Sequence, residues 1–271
     1  GDVFKTSTTA QVRDSAVKAG RDVVVRASNE SAQNGILDGA AGGGSAIAGS
    51  VGVVVFDGDV EAAILGGTTR ADRDVAVDAD NAQLLNQITG AGAIGVGGLA
   101  AAGSVAVAVS DTTTRALIGR STDVGQPTVV QSGRDVAVTA DSSNSINTFT
   151  MTISGGAGTA VAALASVAVV TNETTASARH ADVQVGVAEG WKRVVGVAAD
   201  DASNNEGAGA ASSSGPAGGK LKIEANDHGL INQLSGAAGI SFGAGGAVGG
   251  TVSILVAKSN VTADVRSSLV D

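Results

Sequence analysis

The chain has 271 residues, enough for one large domain or two ordinary ones, and its composition is far from that of an average globular protein. It contains 40 Gly, 2 Pro, one Trp and one Met but neither Cys nor Tyr, so disulfides and thiolate metal sites are excluded. A net charge of −9, from 17 Lys and Arg against 26 Asp and Glu, argues against nucleic acid and anionic lipid headgroups as partners.

The first predicted element is a short strand, "TTAQV" at Thr8, which matches only the end of a unit that recurs along the chain. The unit opens on a Val-rich stretch whose copies read "RDVVVRAS", "RDVAVDAD", "RDVAVTAD" and, more loosely, "GKLKIEAN", starting at Arg21, Arg73, Arg134 and Gly219. Apolar and polar residues alternate in each copy, which is typical of a β-strand. We expect the chain to be a fragment of a longer protein, starting and stopping part-way through a repeat.

The spacing of the copies gives the length of the repeat. The anchor positions in the opening strand are Val23, Val75, Val136 and Leu221. They are 52, 61 and 85 residues apart, so the repeat has a core of near 60 residues with connections of variable length. A unit of several short strands with no core of its own must bury its faces against its neighbours, as the coils of a parallel β-solenoid do.

An asparagine follows each anchor after eleven residues: Asn34, Asn86, Asn147 and Asn232. In stacked coils these side-chain amides would donate to and accept from one another, so they predict a structural ladder that satisfies polar groups at a buried turn. The alternative is that Asn occurs here only because it favours turns. Two residues further on, each copy has a large apolar residue, namely Ile36, Ile88, Phe149 and Leu234.

A second strand is predicted about thirty residues after each anchor. Its copies read "GSVGVV", "GSVAVA", "ASVAVV" and "GTVSIL" and align at Val51, Val105, Val167 and Val252. No segment has an apolar stripe of helical period bounded by helix caps. The sequence therefore predicts an all-β fold, a parallel β-solenoid in which residues 1–271 form a single repeat domain.

The uncharged stretch "GAGAIGVGGLAAAGSVAVAV", residues 90–109, has three interpretations. It contains a G-x-G-x-x-G motif, but a strand pattern follows where a dinucleotide site needs a helix. It is long enough to cross a membrane as a helix, but its six Gly cost about 1 kcal/mol each relative to Ala. Small residues at alternate positions suit closely packed β-sheets, so we interpret the stretch as structural and predict no membrane span.

An insertion at 190–219 lies between the third and fourth copies. Long excursions from a solenoid often carry binding residues. The insertion supplies a candidate contact surface formed by Trp191, Lys192 and Arg193. The alternative is that the Trp covers an edge of the solenoid.

Residues for catalysis or metal binding are sparse in this sequence. The two histidines, His180 and His228, are each isolated beside acidic residues, and we interpret both as exposed residues of solenoid turns. The insertion contains a weak candidate Ca²⁺ site made by Asp200, Asp201 and Glu206, without the alternating spacing of an EF-hand loop. We predict no catalytic residues and no other metal site or cofactor.

The repeat cycle resembles that of the large filamentous adhesins of Gram-negative bacteria, the haemagglutinin-like and leukotoxin-like exoproteins exported by two-partner secretion or autotransport. The resemblance rests on "GRDVAVTADSSN" followed by "GGAG", "ASVAVV" and "NETTASA" in the third copy, and it covers nearly the whole chain outside 190–219. It implies a right-handed β-solenoid, a position at the bacterial cell surface and a role in attachment or aggregation. It implies no catalytic residue.

We therefore expect an extracellular, non-catalytic stalk segment of a surface adhesin, with a receptor on a host or neighbouring cell and with lateral self-association. At 20–30 residues per coil, the chain would form a rod about 50 Å long. One alternative is a polysaccharide-processing solenoid enzyme, which the scarcity of aromatic residues disfavours, since sugar sites use aromatic platforms and hydrolysis needs paired carboxylates. Another is a protein that inserts its Gly- and Ala-rich stretches into membranes.

Overall fold

The computed structural model describes residues 1–120, 128–186, 192–193, 208–214 and 219–266. Within these ranges the chain consists of β-strands joined by short turns, and it contains no helix. The long strands pair in parallel with their equivalents in the next repeat. The predicted all-β class and the parallel β-solenoid architecture are confirmed.

The described residues form thirteen strands. In chain order they are β1 (Asp2–Ala19), β2 (Val23–Gly43), β3 (Ala46–Ala71), β4 (Val75–Gly95), β5 (Ala100–Ile118), β6 (Thr128–Ser132), β7 (Val136–Gly156), β8 (Ala160–Arg179), β9 (Ala181–Val185), β10 (Lys192–Arg193), β11 (Ala208–Ser214), β12 (Lys220–Ser241) and β13 (Ala247–Arg266).

Two long parallel sheets face each other. The front sheet contains β2, β4, β7 and β12, with β11 at its edge, and the back sheet contains β1, β3, β5, β8 and β13. In each repeat the chain runs along the front sheet, turns through a short Gly-rich segment, here called the tip, and returns along the back sheet. Each repeat is therefore one coil of the solenoid.

A short side sheet continues the back sheet beyond a bend. β3 pairs with β5 as far as Ile64 and then, beyond a bend, pairs with β6 from Thr68 onward. β6 pairs in turn with β9. Near the bend the backbone has positive φ at Asp14, Gly66, Gly67, Gly119 and His180. A β-carbon at Gly119 would overlap the carbonyl oxygen of Arg179, so this position of the bend requires glycine.

The front-sheet strands are stacked without any shift between repeats. The anchor residue Val75 pairs with Val23 on one side and with Val136 on the other, and Val136 pairs with Leu221. The same register continues over all 21 residues of β2, β4 and β7. Equivalent positions of the repeat therefore form straight columns along the solenoid axis.

In the third repeat, the register of the back sheet differs from the register that the sequence alignment predicts. The alignment placed Val167 opposite Val105, but the structure pairs Val105 with Ala165 and Val107 with Val167. The predicted register is wrong by two residues. A shift of two residues leaves every side chain on the same face of the sheet, so apolar alternation alone cannot detect it.

The size of the coil also differs from the expectation. β4 has 21 residues, which at about 3.3 Å per residue extend over about 70 Å. Four coils stacked about 4.8 Å apart rise only about 20 Å along the axis. The expected rod of about 50 Å is wrong, because a whole repeat of near 60 residues is used in a single coil rather than in two or three. The described residues form a broad, flat stack.

The core between the sheets changes in character along the coil. The largest apolar cluster lies near the side sheet, where the start of each front strand meets the end of a back strand; its larger members include Val75, Val77, Val136, Val138, Ile64, Ile118, Val130, Leu221 and Ile223. Near the tip a smaller apolar cluster consists of the buried alanines Ala46, Ala48, Ala91, Ala93, Ala100 and Ala102. A β-carbon at Gly39 would overlap the carbonyl oxygen of Gly49, so the two sheets approach closely there.

The stretch 90–109 forms the end of β4, the tip of the second coil and the first half of β5. Its Gly90, Gly92 and Gly95 all lie within β4, so they form no nucleotide loop. Among the residues that the structure describes, no helix is long and apolar enough to cross a membrane.

The insertion contributes strands to two sheet edges. β10 pairs antiparallel with β9, and β11 pairs antiparallel with the first seven residues of β12. An unpaired strand edge exposes backbone donors and acceptors to other chains, and covering it protects against unwanted pairing. The backbone of the insertion therefore covers part of the edge that the third and fourth coils present.

Candidate binding surfaces

The four repeated asparagines lie in one column on the outer face of the front sheet. The Asn86 amide nitrogen donates to the Asn34 oxygen, the Asn147 nitrogen to the Asn86 oxygen and the Asn232 nitrogen to the Asn147 oxygen, each at 2.8 Å. The column lies in the middle of long strands and is half-buried or exposed, not at a buried turn as expected. Its amides stabilise the stacking of the coils on one another.

Beside the ladder, toward the tip, the same outer face is apolar and exposed. We name as the front apolar face the exposed, outward side chains of Ile36, Ile88, Ile94, Phe149, Met151, Ile153, Leu234 and Ile240. Two shallow grooves cross it, with volumes of about 470 Å³ and 430 Å³. Residues 81–95 of β4 and 142–156 of β7 contain no charged residue. The large apolar residue two positions after each Asn is visible in the sequence, but its exposure is decided by the fold.

The repeated Arg-Asp pair forms a second column between coils, at the turns that lead into the front sheet. Arg73 makes an ion pair with Asp22 at 3.3 Å, and Arg134 makes one with Asp74. The Asp74 carboxylate also accepts the backbone N–H of Asp135 at 3.2 Å. Partial burial opposes ionisation of Asp74, but the hydrogen bonds from Arg134 and from the Asp135 backbone outweigh it and lower the pKa of this carboxyl. The repeated dipeptide therefore links successive coils.

An arginine-rich cavity of about 560 Å³ lies on the outer face of the back sheet beside the bend. Its charged lining residues come from different coils: Arg13, Glu61, Arg115, Arg120, Glu173 and Arg179. Positions this far apart in the sequence meet only through the stacking of coils, so no local motif indicated them. In a chain of net charge −9, this is a local concentration of guanidinium groups.

Three of these four arginines are engaged by carboxylates of the protein itself. Arg115 pairs with Glu173 at 3.4 Å, Arg120 with Asp14, and Arg179 with Asp264 at 2.9 Å. Each pair joins residues of different coils. The fourth, Arg13, donates to the side-chain oxygen of Gln11 at 2.9 Å and has no carboxylate partner among the described residues. The cavity is thus largely an ion-pair network between coils.

A polar layer lies inside the solenoid between the front and back sheets. Asn144 donates to the Asn172 oxygen at 2.7 Å, and Asn172 donates to both carboxylate oxygens of Asp227 at 3.2 Å. Asp227 also accepts from Ser259. These groups line a cavity of about 680 Å³ beside β12 and β13. Because buried polar groups need partners, the network favours one register of the two sheets.

The other sequence-predicted site residues lie apart from these surfaces. The backbone of Lys192 and Arg193 forms β10 and pairs with Val185 and Gln184. Trp191, and the weak Ca²⁺ candidates Asp200, Asp201 and Glu206, lie outside the described residues. The described residues contain no cluster of three or more His, Cys, Asp and Glu side chains that would hold a metal ion.

The two histidines occupy different environments. His180 lies at the bend between β8 and β9, with a φ of +48°, and it is half-buried rather than exposed as expected. His228 is exposed, but it lies within β12 rather than in a turn, so its predicted position is wrong. The strand pattern of "GKLKIEAN" continues through His228 because the front strands are much longer than the Val-rich stretch that marks them.

Comparison with known proteins assigns no function to these surfaces, so their geometry and chemistry are the basis for interpreting them. No protein-family model matches the sequence, no curated protein matches it, and no solved structure matches the fold.

Proposed function

We propose that this chain is a structural, non-catalytic segment of a secreted bacterial surface adhesin that contributes to attachment or aggregation. The observation that carries the proposal is the register between coils: β2, β4, β7 and β12 pair position by position over 21 residues. A stack of this kind grows by the addition of repeats and presents the same surface at every coil. Those are the mechanical requirements of a stalk.

Contacts between coils support this proposal. The Asn ladder, the Arg-Asp column and the ion pairs of the arginine-rich cavity each join neighbouring repeats. They lie at three places around the coil, so each coil is fixed to the next along its length. A segment whose charged and amide side chains are used in this way is suited to transmit force along its axis.

The outer faces support a role in attachment or aggregation. The front apolar face leaves large side chains exposed on several successive coils, beyond what the fold needs for its core. Large exposed apolar patches mark surfaces that bind other proteins or membranes. The similarity of the repeats to those of filamentous adhesins supports a position at the bacterial cell surface.

Bead assays test this proposal directly. Latex beads coated with the folded chain are expected to aggregate or to attach to epithelial or bacterial cells, and beads coated with the heat-unfolded chain serve as the matched control. The folded chain is also expected to release no reducing ends from a panel of polysaccharides. Coated beads that neither aggregate nor attach would contradict the adhesive role, and sugar release would favour the solenoid-enzyme alternative.

A further inference from the structure

The front apolar face is exposed on the inner strands of the stack and not only on the strands at its two ends. Phe149 and Met151 lie on β7, which has β4 on one side and β12 on the other, yet they are 40% and 45% exposed. Ile88 on β4 is 44% exposed in the same way. Side chains of this size on paired inner strands are covered in most sheets by a second layer. In this chain the described residues place no layer over them.

The relief of this face combines protruding and recessed positions. Phe149, Met151 and Ile153 project from β7, whereas Gly92 on β4 and Gly236 on β12 leave open space above the backbone. The groove beside the ladder is bordered by Phe149 and Leu234, and the groove nearer the tip by Ile94 and Ile153. A face with knobs and grooves of similar size can be complementary to a rotated copy of itself.

The size of the face matches what a stable dimer needs. Together with the Asn ladder and the column of Leu84 beyond it, the front apolar face is 12 residues long, from Leu84 to Gly95 on β4. Four strands about 4.8 Å apart make this surface about 40 Å by 19 Å, or about 800 Å². A specific interface of standard size takes about 800 Å² from each partner. Two such faces would pack about 10 Å apart, as the sheets of a β-sandwich do.

Charge also favours a second copy of this chain as the partner. Two chains of net charge −9 repel each other, but the repulsion is smallest where both surfaces are uncharged. Asp38 lies within the face, in the column of Gly90 and Met151, but on β2, the edge strand of the front sheet. We propose that the front apolar face binds the same face of a second copy, front sheet against front sheet, around a two-fold axis. The inference deepens the proposed function, because it assigns aggregation to one surface.

Sedimentation velocity of the full chain, over about 1 to 100 µM, tests the inference. The wild type is expected to dimerise with rising concentration, and Phe149→Lys, which places a charge at the centre of the face, is expected to weaken the dimer by about tenfold or more. Val105→Lys is the matched control, because Val105 is 38% exposed and lies on the outer face of the back sheet. It is expected to dimerise like the wild type.

The design separates the other outcomes. A second variant, Ile88→Lys, repeats the test if Phe149→Lys loses its β circular dichroism spectrum. A wild type that stays monomeric, or a dimer that Val105→Lys abolishes and Phe149→Lys preserves, overturns the inference. A monomer that floats with phosphatidylcholine vesicles also overturns it and identifies lipid as the occupant of the face. If a monomeric wild type still aggregates beads, this inference fails while the proposed function stands.

Discussion

Asn86 links three coils through one side chain. Its amide nitrogen donates to Asn34 and its oxygen accepts from Asn147. A primary amide both donates and accepts, so a column of identical residues can satisfy itself. The same column could not be built from carboxylates, which only accept when ionised, or from ammonium groups, which only donate.

Replacement of Asn86 by Ala is expected to lower the free energy of unfolding by about 1 to 2 kcal/mol, because two hydrogen bonds are lost. Asn34→Ala is the matched control. It removes a single bond from the first strand of the column, so about half the loss is expected. Urea denaturation followed by circular dichroism measures both. Equal losses in the two variants would show that the ladder does not contribute bond by bond.

The contributions of Asp78 and Asp74 to the stability of the fold change with pH in opposite directions. Burial, reinforced by the nearby Asp80 carboxylate, raises the pKa of Asp78 above its usual range. The folded protein therefore holds this proton more tightly than the unfolded chain does. Its contribution to stability is greatest below the ordinary Asp pKa of about 3.9 and is lost as the pH rises through the higher folded value. For Asp74, whose pKa is lowered, the contribution is present above about 3.9 and is lost as the pH falls through the folded value.

Asp78→Asn is therefore expected to stabilise the protein at neutral pH, and the gain is expected to shrink as the pH falls toward about 4. Asp74→Asn is expected to destabilise it at neutral pH, with a loss that shrinks at acid pH. Thermal unfolding at a series of pH values measures both. A gain for Asp78→Asn that does not change with pH would show that the substitution acts through packing and not through the charge.

At the scale of the strands, the bend between the back and side sheets is the most constrained element. Gly119 has a φ of +86°, and its α-carbon faces the carbonyl oxygen of Arg179 on the next coil. A side chain there suffers both backbone strain and a direct overlap with the neighbouring coil. The bend matters because it directs the chain from the back sheet into the side sheet.

Gly119→Ala is expected to destabilise the fold by about 2 to 5 kcal/mol. Gly250→Ala is the control, because a β-carbon at Gly250 meets no atom within 4 Å and no positive φ is involved. Its effect is expected to be within about 1 kcal/mol of zero or stabilising. Urea denaturation distinguishes them, and a similar loss in both would contradict the steric explanation.

The strands themselves could be predicted, but the register of one of them could not. Alternation in "RDVAVDAD" and "GSVAVA" identified strands of the front and back sheets, and the anchors Val23, Val75 and Val136 pair as aligned. The third back strand is shifted by two residues, because a two-residue shift preserves the inward and outward faces. The tip before it, residues 157–159, is one residue shorter than the tip of the second coil, residues 96–99.

At the scale of the whole molecule, the coil determines the shape. The long sheets extend over about 70 Å, whereas four coils rise only about 20 Å along the axis. The two sheets pack on small residues near the tip and on Val and Ile near the side sheet. The stack is therefore widest across the coil and grows along its short direction when repeats are added.

Small-angle scattering of the monomer is expected to give a maximum dimension of at least about 70 Å and a profile typical of a flat particle. The reason is that one repeat makes one coil. A profile with a rod-like cross-section of about 20–30 Å would contradict this and indicate shorter coils. Measurement at low concentration, or with Phe149→Lys, keeps self-association out of the result.

The sequence by itself determined the strands, the repeat and the Asn column, because alternation and spacing are local properties that the chain carries in every copy. Only the tertiary structure decided how many residues make one coil. It also decided that the face of the front sheet that carries Phe149 is left exposed, and that Arg13, Arg115 and Arg179 meet in one cavity. These features depend on where the turns fall and on which coil stacks on which. The pairing of strands between coils joins residues that are far apart in the chain. Alternation with period two is equally compatible with several registers of those strands.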